Sequence, residues 1–206
     1  MPADEDFSTS AAELALQKVA AAIRTNNIEV HVVDTGDEAR MLALSMIPEG
    51  AEVHSAKSKT VEDIGLWKEL SASGRYDWLR ARYLGMDRKM EAREIRKLIS
   101  APDYMVGSVQ AVTEGGDLVV VSASASQLAP YAVGAGRLIL VIGSQKIVRD
   151  FDQAMRRIER HVFPYEDALV YERMKIHTFT GKILIIRREW VDGRVTVILV
   201  REPVGV

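Results

Sequence analysis

The chain has 206 residues, 48% apolar and 27% charged, which excludes a disordered or collagen-like polymer and is long enough to bury a core without covalent staples. It contains no cysteine, which excludes disulfides, thiolate-bound zinc, a cysteine nucleophile and cysteine-ligated iron–sulfur clusters in this chain. With 27 basic and 29 acidic residues, a net charge of −2, it has no overall attraction to nucleic acid or to an anionic membrane.

Met1 to Ser10 is acidic and polar, without the basic and apolar regions of a signal peptide, and no apolar run approaches the roughly 20 residues of a membrane span. A soluble cytoplasmic protein is expected. Ser10 and Glu13 have capping-box spacing, and Leu16, Val19, Ala20 and Ile23 repeat at helical intervals, so a helix is predicted from Ser10 to Asn27. Ile28 to Val33 reads as a strand. Thr35 with Glu38 caps a second helix through Met46, and Pro48-Glu49-Gly50 turns the chain into a strand at Ala51 to His54. Strands separated by helices pair most economically in parallel, which predicts an α/β, Rossmann-like fold with a mainly parallel sheet flanked by helices.

Thr60 to Ser100 is predicted mostly helical, broken at Gly65, Ser73-Gly74 and Gly85. Residues 75–97 carry eight Lys or Arg against four acids interspersed among them, the pattern of a solvated face. Tyr104 to Val112 and Leu118 to Ser122 flank Thr113-Glu114-Gly115-Gly116-Asp117 as a hairpin. Beyond it lie a short helix near Gln127 to Val133, a strand Leu138 to Ile142 and a long helix from Gln145 to His161. The strand has no polar alternation and suits a sheet centre. Lys182 to Trp190 and Arg194 to Arg201 around Asp192-Gly193 predict a C-terminal antiparallel hairpin with a type I′ turn. Its apolar strand Val195 to Val200 would be an edge needing cover, which suggests a homodimer. No repeat or linker divides the chain, so a single domain over 1–206 is expected.

Three small polar loops follow predicted strands: Ser55 to Thr60, Ser122 to Gln127, and Gly143 to Lys146. Ligands bind at the carboxyl ends of parallel strands, where helix N-termini favour anions. Ser55, Lys57, Ser58, Thr60, Ser124, Ser126, Gln127, Ser144, Gln145 and Lys146 are therefore candidate ligand-binding residues for a small anion. The alternative is that these hydroxyls only cap helices. None of the loops is a P-loop or a G-x-G-x-x-G fingerprint. Glu114, between Thr113 and two glycines, is a candidate nucleophile or base, or else a solvated turn residue. His31, His54, His161 and His177 lack metal-ligand spacing, so no metal is expected.

Gly107-Ser108-Val109-Gln110-Ala111-Val112-Thr113-Glu114-Gly115-Gly116, Ser126-Gln127-Leu128 and Gly143-Ser144-Gln145-Lys146-Ile147-Val148, with Ala154 and Arg157-Ile158, resemble the lactate-utilization (LUD) domain family over about residues 50–170. The resemblance implies a fold like that of CoA-transferases and sugar-phosphate isomerases, and an accessory role in oxidation of lactate to pyruvate beside iron–sulfur partner proteins. Some CoA-transferases use a glutamate before a glycine turn as nucleophile toward an acyl-CoA. By that analogy the competing expectation is an enzyme acting through Glu114 on a phosphate ester, nucleotide or CoA ester. Neither a nucleic-acid nor a membrane partner is expected.

Overall fold

The computed structural model describes residues 6–56 and 58–206. Helix α1 (Glu13–Thr25), strand β1 (Glu29–Val33), helix α2 (Gly36–Ser45) and strand β2 (Glu52–His54) open the chain. Helices α3 (Lys59–Asp63) and α4 (Leu66–Ala72), the two-residue strand β3 (Asp77–Trp78), and helices α5 (Leu79–Leu84) and α6 (Ala92–Ser100) follow. Next come β4 (Tyr104–Gly107), β5 (Ala111–Thr113), β6 (Leu118–Ser122), β7 (Arg137–Gly143) and β8 (Ile147–Val148). Helices α7 (Phe151–Arg157) and α8 (Phe163–Met174) are joined by one π-helical turn, Ile158–Val162, before β9 (Lys182–Ile186) and β10 (Val195–Val200).

Six strands form a wholly parallel sheet in the order β1-β10-β7-β4-β2-β3, and four form a mixed sheet in the order β8-β5-β6-β9. Strand alternation divides the apolar residues between layers. Leu138, Leu140 and Ile142 of β7 join Val197, Leu199, Val112, Leu118 and Val120 between the two sheets, with Val19 and Ile23 of α1 against them. Ile139 and Val141 face the other way, onto Ala39 and Ala43 of α2 and Val61, Leu66 and Leu70 of the next two helices. A third cluster, including Ala111, Val119 and Ala154, seals the outer face of the mixed sheet against α7. No helix among the described residues is long and apolar enough to cross a membrane.

The α/β class, the Thr35–Glu38 capping box, the hairpin around Thr113 to Asp117 and the buried strand at Leu138 to Ile142 all appear as expected. The C-terminal hairpin does not. Lys182–Ile186 pairs antiparallel with β6 in the mixed sheet, whereas Val195–Val200 runs parallel between β1 and β7 in the large one. All six residues of β10 are buried, which a hairpin partner on one side alone would not achieve. Asp192-Gly193 still turns the chain, with Gly193 at φ +67°, but the turn starts the crossing strand. With β10 central, the apolar edge that argued for a homodimer is gone.

Three local expectations also change. Ser10 does not cap α1, because the helix starts at Glu13 with Ala12 at its N-cap, and the Glu13 carboxylate pairs with Arg201. The helix expected from Gln145 begins as a 3-10 turn and a short strand, and Asp150 caps α7 by accepting from the Gln153 amide. The helical run 60–100 is interrupted by β3, which extends the large sheet beside β2.

The crossing from β9 to β10 is fixed by a buried ion pair. Arg194 donates to Glu189 through Nε at 2.9 Å and Nη2 at 2.6 Å, and it also reaches the carbonyls of Tyr131, Ala132 and Ala135. Removing one member of such a pair strands a buried charge, at a cost of about 3–5 kcal/mol. Urea unfolding of Arg194→Met is expected to show a loss in that range, and an unchanged midpoint would refute the role given to the pair.

Candidate functional site

In a parallel sheet every strand's carboxyl end lies on one rim, so the segments after β2, β4, β7 and β10 come together there. After β7, Gly143 leads into the turn Ser144–Lys146, and all three of those residues are buried. Lys146 lines a cavity of about 340 Å³ between this rim and the mixed sheet. Its ammonium donates to Thr60 Oγ1 at 2.7 Å and Ser108 Oγ at 3.0 Å. Ser108 follows β4 directly and is pinned from behind by Tyr131, whose hydroxyl accepts from the Ser108 amide at 3.0 Å and donates to its carbonyl at 3.1 Å. A Cβ on Gly107 would lie 1.8 Å from that hydroxyl, so the approach requires glycine. Burial pushes the Tyr131 phenol up from its ordinary value.

Of the residues predicted from sequence, Ser58, Thr60, Ser124, Ser126, Gln127 and Lys146 line the cavity. Lys57 lies outside the described residues. Ser55 is buried at the end of β2 with its hydroxyl on the Ala56 carbonyl, and it does not line the cavity. Neither do Ser144 and Gln145, which instead fasten the segment after β10. Ser144 Oγ donates to the Arg201 carbonyl at 2.5 Å, and Gln145 Nε2 donates to the Val204 carbonyl at 2.9 Å. That segment folds over the rim, with Val206 reaching the cavity and Gly205 at φ +76° packed on Thr60.

Glu114 stands apart from the cavity. Because β5 runs parallel to β8 with Val112 opposite Ile147, Ala111 is level with Lys146 and Glu114 lies three residues further on, about 10 Å along the strand. Its carboxylate pairs with Lys18 of α1 at 2.5 Å, and its amide donates to the Val148 carbonyl. The expectation of a cleft nucleophile there is not met: the glycine turn packs on α1, where a Cβ on Gly116 would approach the Ala22 and Ile23 backbone within 3.0 Å. His54, with both ring nitrogens unpartnered, sits edge-on to Tyr83 and off the cavity. Burial, with Arg80 nearby, depresses it to about 4.

Ser108 and Tyr131 are not among the site residues predicted from sequence, although Gly107-Ser108 ends a strand on the same rim as the three polar loops. Nor is Arg157, the largest fully buried side chain. Arg157 Nη1 donates to the Gln110 carbonyl at 2.6 Å, while its Nε has no partner among the described residues. Burial alone lowers Arg157 to about 10. Lys146 is lowered to about 7, first by burial and then by the charge of Arg157, against a small opposing pull from Asp63. Neither cation forms an ion pair among the described residues. Lys146 thus gives the cavity a buried basic group, and Tyr165, Glu166 and Phe179 are among its other lining residues. No three His, Asp or Glu side chains among the described residues gather as a metal set.

A family model for the LUD domain matches residues 16–200. The crystal structure of a DUF162 family protein from Deinococcus radiodurans shares the fold, with a TM-score of 0.55 at 10% sequence identity over 93% of this chain and 99% of that one. Weaker likeness is found to a D-ribose-5-phosphate isomerase in complex with phospho-erythronic acid (TM-score 0.36, 18% identity, 63% of this chain and 66% of that). Another is to eIF2B delta from Chaetomium thermophilum (TM-score 0.35, 14% identity, 68% of this chain and 55% of that). No curated protein matches the sequence.

The depressed Lys146 makes a pH prediction of definite sign. Between its folded value of about 7 and its ordinary value of 10.5, the unfolded chain holds a proton that the folded chain lacks. Stability therefore rises with pH across that window, by about 1.4 kcal/mol per unit, and below it the full cost of the buried charge is present. Lys146→Met removes this dependence. Urea unfolding should show the variant's advantage over wild type at its largest near about pH 6 and shrinking toward about pH 9. Parallel pH curves would refute a buried, depressed Lys146.

Proposed function

Since the chain belongs to the LUD domain family, we propose that it is an accessory component of lactate utilization that binds a small carboxylate or phosphate in the cleft over Lys146. The observation that carries this reading is the buried cation Lys146 lining the cleft, with a second buried cation, Arg157, close enough to lower it and no ion pair on either among the described residues. A buried charge without a counter-ion costs several kcal/mol, and an anion entering the cleft offsets that cost. The hydroxyls of Ser58, Ser124 and Ser126 on the same cavity supply neutral donors for its oxygens.

The size of the cavity, about 340 Å³, suits a small metabolite or phosphate ester. Coenzyme A would extend beyond it. Electron transfer in lactate oxidation to pyruvate falls to iron–sulfur partner proteins, because this cysteine-free chain offers no thiolates for a cluster. An acyl-transfer role through Glu114 is not adopted, since that carboxylate is paired with Lys18 outside the cleft.

Thermal-shift titration with lactate, pyruvate and phosphate tests the reading. A ligand at 100 times its dissociation constant stabilises the native state by about 2.7 kcal/mol. Lys146→Met should weaken the anion that binds by about 10- to 150-fold, the range for a charge-assisted hydrogen bond. Glu114→Gln should bind as wild type does. Equal affinity in wild type and Lys146→Met would refute the assignment.

A further inference from the structure

Among the described residues the nitrogen of Lys146 is held by two hydroxyls and no carboxylate, at 2.7 Å from Thr60 and 3.0 Å from Ser108. With those two contacts and its own carbon, a four-coordinate nitrogen has one position left, and the residue lines the cavity. A hydroxyl both accepts and donates, so Thr60 and Ser108 can serve an ammonium and a neutral amine alike. The charge of the fully buried Arg157 disfavours the extra proton. A lysine that is a bare cation needs none of this tolerance, whereas a nucleophilic lysine does. Desolvated lysines beside another cation are the ones that add to carbonyl groups.

We infer that Lys146 forms a Schiff base with a small anionic aldehyde or ketone held in the cleft. The inference rests on the anion-binding reading of the same cavity and assigns its ligand a carbonyl carbon. The Nζ lone pair bonds to that carbon while the C=O π pair moves to oxygen. A proton then passes from nitrogen to that oxygen, by way of the Ser108 or Thr60 hydroxyl, to give a carbinolamine. The nitrogen pair next expels the hydroxyl, which leaves as water with a proton taken from solvent, and an iminium remains. Nothing is oxidised or reduced.

Reductive trapping on the full chain tests this. The protein is incubated with pyruvate or with dihydroxyacetone phosphate and cyanoborohydride, then mapped by peptide mass. The expected result is a saturable adduct on Lys146 whose formation is half-maximal near neutral pH and is lost in excess lactate or inorganic phosphate, which lack the carbonyl. Which of the two carbonyl compounds labels at lower concentration tells a carboxylate ligand from a phosphate one. Protection by lactate or phosphate is read on wild type, so no variant need fold. If lactate or phosphate raises the melting temperature but adducts fall only on exposed lysines such as Lys18, the Schiff base is refuted and the anion site stands. If no anion shifts the melting temperature and Lys146 stays unmodified, both fall.

Discussion

The placement of β10 between β1 and β7 is the constraint on which the rest of the molecule depends. Its six residues are buried on both faces and paired on both edges, so it joins the first strand of the chain to the middle of the sheet. Because all these strands run parallel, the segment after β10 emerges on the same rim as the turn after β7. There Gln145 and Ser144 catch its carbonyls and hold it against Thr60. The position of Lys146 is a consequence: the 3-10 turn that carries it is clamped between the sheet below and that segment above. A sheet ended by a simple hairpin would leave the turn without this clamp.

The two sides of the cleft differ in how they are held. The rim of the large sheet supplies Thr60 from α3, Ser108 from the end of β4 and Lys146 from the 3-10 turn after β7, with Lys146 bonded to the two hydroxyls and Ser108 held by Tyr131. The opposite side comes from the loop 122–127, where Ser122 accepts from the Ala125 amide and donates to Gln127 and where Ala125 takes φ +65°, and from the segment 178–180. Rigid placement of charge on one side and short hydroxyl-rich loops on the other is an arrangement that fixes a reacting group while tolerating differences in the remainder of a ligand. The cations themselves run against stability, since Arg157 keeps an unpartnered Nε in the interior. Departures of that kind concentrate where a protein acts.

Most of the fold was legible because its signals are local. Alternating strand and helix periods gave the parallel class, Thr35 with Glu38 marked a helix start, and the unbroken apolar run at Leu138 marked a central strand. What could not be read was non-local. Asp192-Gly193 is a genuine turn, but no residue in or beside it records that Ile183 pairs with Val121 and Val197 with Leu140, in different sheets. The cleft was legible for the same reason as the sheet: loops after parallel strands share a rim, which picked out Thr60, Ser58 and Lys146. It failed where identity alone was used. Ser144 and Gln145 look like ligand donors yet bind backbone, and Glu114 looks like a reactive acid yet answers Lys18, because hydrogen-bond partners are chosen by the tertiary structure.

The central position of β10 also sets the order in which the molecule can be assembled. The hairpin of β5 with β6 draws on neighbours close in sequence, but Val30 opposite Val197 joins regions near the two ends of the chain. Loop closure on that scale precedes the contacts that reward it, and topologies rich in such contacts fold slowly. Until β10 arrives, β1 and β7 each present an open strand edge of apolar residues, the feature that recruits other chains into aggregates. The same insertion that makes the finished sheet secure therefore makes the unfinished one vulnerable, so refolding yield should depend on protein concentration more steeply than the stability of the native state suggests.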